Sequence, residues 1–226
     1  MNITDIPVIA IDGPSASGKG TVAQRVAEKL GFHYLDSGAL YRLVAFSAMR
    51  SNIDLAEERA LSDIATRLDV VFEDAEIWLG GENVADAIRA EACSNAASRI
   101  AAYPRVRVAL LERQRAFRQL PGLVADGRDM GSVVFPGAAL KIFLTASAET
   151  RAQRRYKQLM EKGIDANIST LLQDLRERDA RDSGRSVAPL QQGEGTSLLD
   201  TTSLDIGQAV DCILRQYAET CAKKRL

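Results

Sequence analysis

Histidine is nearly missing from this chain. His33 is the single example in 226 residues, so no Ser-His-Asp relay is expected around it, and on a short apolar segment it reads as a packed or surface side chain. Cysteine is scarce as well: Cys93, Cys212 and Cys221 are odd in number and form no C-x-x-C pair. That sets aside a disulfide framework and a thiolate zinc site, and fits a reducing cytosol. No uncharged apolar stretch reaches the roughly 18 residues of a membrane span, and residues 1–7 carry no basic region, so neither a bilayer nor export is expected. Net charge is close to absent, at −1 with an isoelectric point near 6.0, which argues against a broad basic face for polymeric nucleic acid. A small anionic ligand stays compatible with these properties.

What is present is a core and a bias towards arginine. Apolar residues make up 46% of the chain, enough for one large domain with an insertion. Of the 29 Lys and Arg residues only seven are Lys, which favours the planar fork that grips phosphate and carboxylate with two bonds. Residues 7–12 form a short β-branched run closed by Gly13-Pro-Ser, and residues 18–30 follow with helical spacing through Val22, Val26 and Leu30 up to Gly31. A brief strand over 33–35 and a helix over 39–49 come next. Between 51 and 104 the pattern changes to a helix over 56–68 and strands over 70–72 and 77–79, joined by the acidic turn Glu73-Asp74-Ala75-Glu76. Strands over 123–126, 140–144 and 197–200 restore the earlier rhythm, with a charged helical segment over 150–185 and a loop over 189–195. Five buried strands with crossover helices predict a three-layer α/β fold around a five-stranded parallel sheet.

Gly13-Pro-Ser-Ala-Ser-Gly18-Lys19-Gly20-Thr21 matches the phosphate-loop pattern G-x-x-x-x-G-K in its proper context, after a strand and opening a helix. Bare glycine backbone lets successive N–H groups turn onto phosphate oxygens, and the helix start adds partial positive charge. Lys19 is placed to reach the β- and γ-phosphates. Gly20 stands where the pattern usually carries a magnesium-binding hydroxyl, with Thr21 one position later.

The Gly-Lys-Gly-Thr ending and Asp126-Gly-Arg128 at a strand end resemble nucleoside monophosphate kinases. The fuller resemblance is to the bacterial cytidylate kinase family. It rests on Ile11-Asp-Gly-Pro-Ser-Ala-Ser-Gly-Lys-Gly-Thr21, Leu35-Asp-Ser-Gly-Ala-Leu-Tyr-Arg42, Ala96-Ala-Ser98, Pro104-Arg-Val-Arg107, Ala125-Asp-Gly-Arg-Asp-Met-Gly131 and Arg178-Asp-Ala-Arg-Asp-Ser-Gly-Arg185, which span almost the whole chain. The resemblance implies a P-loop NTPase fold with 1–40 and 105–226 as core, 41–104 as an inserted small α+β monophosphate-binding unit, and 150–188 as a short helical lid. It implies in-line transfer of the γ-phosphoryl group of ATP to CMP or dCMP with Mg²⁺, in the cytoplasm, by an enzyme expected to be monomeric.

By that resemblance, Gly13, Pro14, Ser15, Ala16, Ser17, Gly18, Lys19, Gly20 and Thr21 hold ATP. Arg42, Arg128 and Arg185 bind the acceptor phosphate, Ser37 adds a hydroxyl and Tyr41 lies in the same set. Arg178 and Asp182 meet the sugar hydroxyls; their i, i+4 spacing alone would read as a surface ion pair. Arg178, Arg181 and Arg185 have the spacing of one helical stripe. Asp129 faces the amino group of cytosine, with Ser98 and Arg107 on the base edge, although Asp129 could also pair with Arg128. Arg107 follows Pro104 in a helix's first turn, where a cation opposes the dipole. Arg151, Arg154 and Arg155 open the lid, and at least one clamps the ATP phosphates or adenine, Arg151 being placed with the ATP residues. Lys19, Arg128, Arg155, Arg181 and Arg185 form the catalytic set. Thr21 and Asp126 are the metal candidates, with Asp12 and Asp36 as rivals. A switch GTPase is set aside because no N-K-x-D motif is present; a kinase for another monophosphate such as UMP is the neighbouring alternative.

Overall fold

The structure is a computed structural model and describes residues 3–73 and 76–223. Asp74 and Ala75 of the expected acidic turn lie outside the described residues. In chain order the elements are β1 (Val8–Asp12), α1 (Lys19–Leu30), β2 (His33–Asp36), α2 (Ser37–Arg50), α3 (Glu58–Thr66), β3 (Val70–Glu73), β4 (Glu76–Leu79), β5 (Glu82–Asn83), α4 (Glu91–Ile100), α5 (Pro104–Arg115), β6 (Leu123–Gly127), β7 (Leu140–Thr145), α6 (Ala148–Glu161), α7 (Ile168–Ser183), β8 (Ser197–Asp200) and α8 (Ile206–Lys223).

The first compact unit comprises the chain up to Leu35 and from Phe117 onward. Its sheet has the order β2-β6-β1-β7-β8, and the pairs β1–β6, β1–β7 and β7–β8 are parallel. β1 and β6 are buried at all five positions, as strands covered on both faces must be. Ile9, Ile11, Val124, Ile142 and Leu144 pack against Val22, Val26 and Ala27 of α1 and Ala209, Val210 and Ile213 of α8. The alternate residues Val8, Ala10, Leu123 and Ala125 are buried too, so the opposite face also lies away from solvent. Gly31, at φ 64, closes α1 by donating its N–H to Ala27 and Glu28 carbonyls.

The charged segment expected as one helical stretch over 150–185 is two helices, α6 and α7. The break follows Lys162 at Gly163, whose φ of 72 is open to glycine, and α7 restarts at Asn167, whose side chain accepts from Ser169 and Thr170 N–H. A five-residue π-helical turn, Met130–Val134, follows β6; the sequence reading contains no element there.

The second unit is Asp36–Ala116. It takes in the start of α2 and all of α5, beyond the limits at 41 and 104 read from sequence, because α2 packs on α3 and α4 while α5 packs on α3. Leu40, Leu43, Leu61, Ile88, Ile100 and Leu110 are its buried centre. β3, β4 and β5 form a small antiparallel sheet with partly exposed strands, and the two-residue β5 extends the expected hairpin.

Candidate active site

The phosphate loop joins β1 to α1. Gly13 is required by close approach: a Cβ there would lie 2.0 Å from the Leu144 carbonyl oxygen of the neighbouring strand. Ala16 sits at φ 57, a left-handed conformation that costs a non-glycine residue energy and is tolerated where the surroundings impose it. Gly18 caps α1 at φ 88 and brings no side chain to the first-turn N–H groups, which leaves them for an anion. Ser17 is buried, and its hydroxyl makes no hydrogen bond with the described residues.

Lys19 Nζ stands 3.9 Å from Asp126 Oδ1 at the end of β6, and Asp126 Oδ2 accepts from Tyr34 Oη at 2.7 Å. These contacts explain Gly20. A Cβ at that position would stand 3.1 Å from Asp126 Oδ2, so the side chain that the usual pattern carries there has little room. Thr21, one residue on, is exposed.

Three groups of residues within this unit lie about the loop. Arg128 uses each of its three guanidinium nitrogens once, three of five N–H groups: Nε donates to Asp182 Oδ2 at 2.9 Å, Nη1 to Gly127 O at 3.1 Å and Nη2 to Ser15 Oγ of the loop at 2.8 Å. Its partner is therefore Asp182 rather than Asp129. Asp182 is 1% exposed and also binds Arg185. Burial pushes its carboxyl up, but the charges of Arg128, Arg185 and Arg178 outweigh that and hold it below the usual 3.8. The surface i, i+4 pair open to the sequence reading is thus replaced by one buried carboxylate under several guanidinium groups. α7 ends at Ser183 and Gly184 caps it, so Arg185 lies beyond the helix and the stripe expected of Arg178, Arg181 and Arg185 does not form. Arg181 is exposed on α7.

On α6 the arginines diverge. Arg151 is buried, donating to Ala146 O, to Ser15 O of the loop and, through two nitrogens, to both carboxylate oxygens of Asp179. Arg154 donates to Ser17 O, Thr201 Oγ1 and Thr201 O. Both hold loop carbonyls from the side of α6. Arg155 donates to Gln158 one turn along the same helix.

Asp129 is buried immediately before the π-helical turn. Asp12 accepts from Met130 and Gly131 N–H at 2.8 Å each, and burial raises its carboxyl to about 7 against the pull of those bonds. With both oxygens so engaged it is a poor metal ligand.

In the second unit, Asp36 caps α2 by accepting from Ala39 N–H and pairs with Arg42 Nη2 at 2.6 Å, which removes it as a metal rival in turn. Ser37 and Tyr41 are buried on α2, Ser98 is buried on α4, and Arg107 on α5 donates to Ala101 O at 3.2 Å. His33 lies outside this chemistry, with Nε2 2.8 Å from the Leu120 carbonyl at an exposed position.

Among the described residues no three His, Cys, Asp or Glu side chains come together to hold a cation. Mg²⁺ does not need them, since it takes few protein ligands and completes its shell with phosphate oxygens and water. Asp126 differs from Asp12 in that its Oδ1 lies 3.9 Å from the lysine of the loop, too far for a hydrogen bond, and it suits that arrangement. Sequence reasoning passed over Asp179 and Tyr34, and took Asp12 for a metal rival. Asp179 sits in a run of alternating charges that carries no signal of which acid turns inward.

A phosphate loop with its lysine beside a strand-end aspartate, and an arginine bridging that loop to a buried carboxylate, define a P-loop phosphotransferase. The family model for cytidylate kinase matches residues 9–219. The chain belongs to the cytidylate kinase family, and with it to the nucleoside monophosphate kinases. A cytidylate kinase from Nitrosomonas europaea is 62% identical over 219 residues, covering 97% of this chain and 98% of its own. One from Cupriavidus necator is 60% identical over 216 residues, covering 96% and 97%. Among solved structures, a gluconokinase from Sinorhizobium meliloti aligns over 97% of this chain and 96% of its own with a TM-score of 0.52 at 19% identity, a likeness of fold.

Proposed function

We propose that the chain transfers the γ-phosphoryl group of ATP to CMP or dCMP, giving ADP and CDP or dCDP. An oxygen of the acceptor phosphate attacks the γ-phosphorus in line while the bond to the ADP oxygen breaks, so no covalent enzyme intermediate and no histidine are needed. The observation that carries this reading is Arg128, which joins the loop at Ser15 Oγ to the buried carboxylate of Asp182, itself ringed by guanidinium groups. Positive charge in excess of one carboxylate suits a dianionic acceptor beside a triphosphate.

Residues 13–21 cradle the ATP phosphates, and Lys19 neutralises charge on the transferring group. Arg128 and Arg185 bind the acceptor phosphate, together with Arg42 and Ser37 of the second unit; Arg178 and Asp182 hold the sugar. Asp129 accepts from the cytosine amino group, whereas uracil presents an oxygen there, which the carboxylate repels. Tyr41, Ser98 and Arg107 belong to the same acceptor set. On α6, Arg155 is the arginine assigned to the donor phosphates, since Arg151 and Arg154 are engaged by the loop backbone; Arg181, exposed on α7, is assigned with it. Mg²⁺, held by Asp126 and ATP with Thr21 adjacent, would screen charge on the phosphate oxygens. No helix among the described residues is long and apolar enough to cross a membrane, and the three cysteines are free. These properties support a cytoplasmic enzyme, which we take to act as a monomer.

A coupled assay with ATP and, separately, CMP, dCMP, UMP and AMP tests the assignment. CMP and dCMP should exceed the other two in kcat/KM, and a preference for UMP or AMP would overturn it. Lys19→Met should keep the fold yet lose at least about a hundredfold in kcat, because one preorganised donor at the developing charge is worth that much.

A further inference from the structure

Asp12 ends β1 directly before Gly13, yet its carboxylate makes its bonds elsewhere. Oδ1 accepts from Met130 N–H and Oδ2 from Gly131 N–H, each at 2.8 Å. Those are the opening N–H groups of the π-helical turn, whose own bonds run from Val133 and Val134 N–H back to Asp129 O and from Phe135 N–H to Met130 O. The turn therefore holds Asp129 from its C-terminal side, and Asp12 holds the turn. On the N-terminal side, β6 is fixed in register with β1, Asp12 opposite Gly127. Asp129 is thus braced from both directions by the strand that carries the phosphate loop.

A buried carboxylate is a costly way to make two hydrogen bonds, the more so with Asp129 as a like charge nearby. Asparagine, neutral and of the same shape, would be easier to bury. It offers a single acceptor oxygen, however, and its amide N–H₂ would face the second backbone donor. Two adjacent N–H groups need two acceptors on one short side chain, and aspartate is the residue that supplies them at this length.

We infer that Asp12 is a positioning residue for acceptor choice: by pinning Met130 and Gly131 it sets the Asp129 carboxylate towards the cytosine amino group. This rests on the reading of Asp129 given above. The step is conformational and touches neither phosphate.

The test measures kcat/KM for CMP and for UMP, and KM for ATP, in wild type, Asp12→Asn and Asp129→Ala. Asp12→Asn should cut the CMP-to-UMP ratio by about tenfold, mostly through KM for CMP, while KM for ATP moves little, because a misaligned polar partner costs discrimination rather than donor binding. An equal loss for CMP and UMP with Asp12→Asn would make Asp12 merely structural and overturn the inference. If Asp129→Ala narrows the ratio and Asp12→Asn does not, the inference alone fails. If Asp129→Ala leaves the ratio unchanged, the reading of Asp129 fails and takes the inference with it. Should Asp12→Asn not fold, amide exchange in the wild-type protein decides: Met130 and Gly131 should exchange as slowly as the amides of β6, and fast exchange there would overturn the proposal.

Discussion

Two clusters of arginine in the loop-bearing unit look alike in sequence and are built for opposite tasks. Arg151 and Arg154 on α6 direct their forks at neutral carbonyls, at a threonine and at Asp179, and so brace the phosphate loop by the backbone of Ser15 and Ser17. Arg128, Arg178 and Arg185 instead crowd one buried carboxylate, Asp182, and their charge is only partly cancelled by it. A brace is a guanidinium fixed by backbone carbonyls or by a carboxylate of its own, whereas Arg128, Arg178 and Arg185 share the carboxylate of Asp182. A ligand-binding arginine sits where positive charge remains in excess. Residue type is the same in both cases; what the fork faces separates them.

The sharpest way to break this contrast is Arg128→Met. It should lower kcat/KM for CMP by about a hundredfold to a thousandfold, as the loss of one charge-matched donor does. Steady-state kinetics with CMP varied at saturating ATP would show it. A loss below tenfold would put Arg128 with the braces.

The sheet and the loop were legible in the sequence because they obey local rules: β-branched runs such as Val-Ile-Ala-Ile ending at Asp12, and glycines whose backbone the turn requires. The sorting of the arginines was not legible, because it depends on which acids turn inward. Asp179 and Asp182 lie three residues apart in one helix and meet different partners. Arg185 was misread as the end of a stripe because Gly184 stops α7 first. The π-helical turn after Asp129 has no side-chain period to announce it; its anchor is the carboxylate of Asp12, which lies 118 residues earlier than Met130. The limits of the second unit shifted outward because the packing of α2 and α5, rather than a change in composition, sets them.

A second, smaller effect tests the brace. Arg151→Met removes the partner of Asp179 and leaves two carbonyls without their donor, which should cost about 3 kcal/mol of stability. Urea denaturation would measure that, and KM for CMP should stay near the wild-type value. A large rise in KM for CMP with unchanged stability would move Arg151 to the other cluster.

The carboxylate at the centre of the ligand-binding cluster has a pH signature. Asp182 is held below the usual 3.8, so in the folded state it stays ionised to lower pH than in the unfolded chain. The stability this contributes is fully present above the unfolded value and is lost as pH falls through the folded one. The stability gap between wild type and Asp182→Asn should therefore be flat from neutrality down to about pH 4 and close below it. A gap that closes already between neutrality and about pH 5 would mean that the guanidinium groups do not hold the charge.

The smallest effect is expected at Arg176, which stands two residues before Arg178 on α7 and is indistinguishable from it by composition. Its side chain is 61% exposed and pairs with Glu149, 59% exposed, at 2.8 Å. The bond is short, but water and salt screen both groups, and two long side chains give up rotamer freedom to make it. Glu149 is held below its usual value first by its own backbone N–H and then by Arg176, so the helix start would keep most of that carboxylate's charge without the arginine. Arg176→Ala should accordingly leave KM for ATP and for CMP unchanged and shift the melting temperature by no more than the spread between replicate scans. Were the buried carboxylate of Asp182 irrelevant to which arginines meet the acceptor, Arg176→Ala and Arg178→Ala would behave alike. A matched rise in KM for CMP in the two variants would undo the distinction between the clusters.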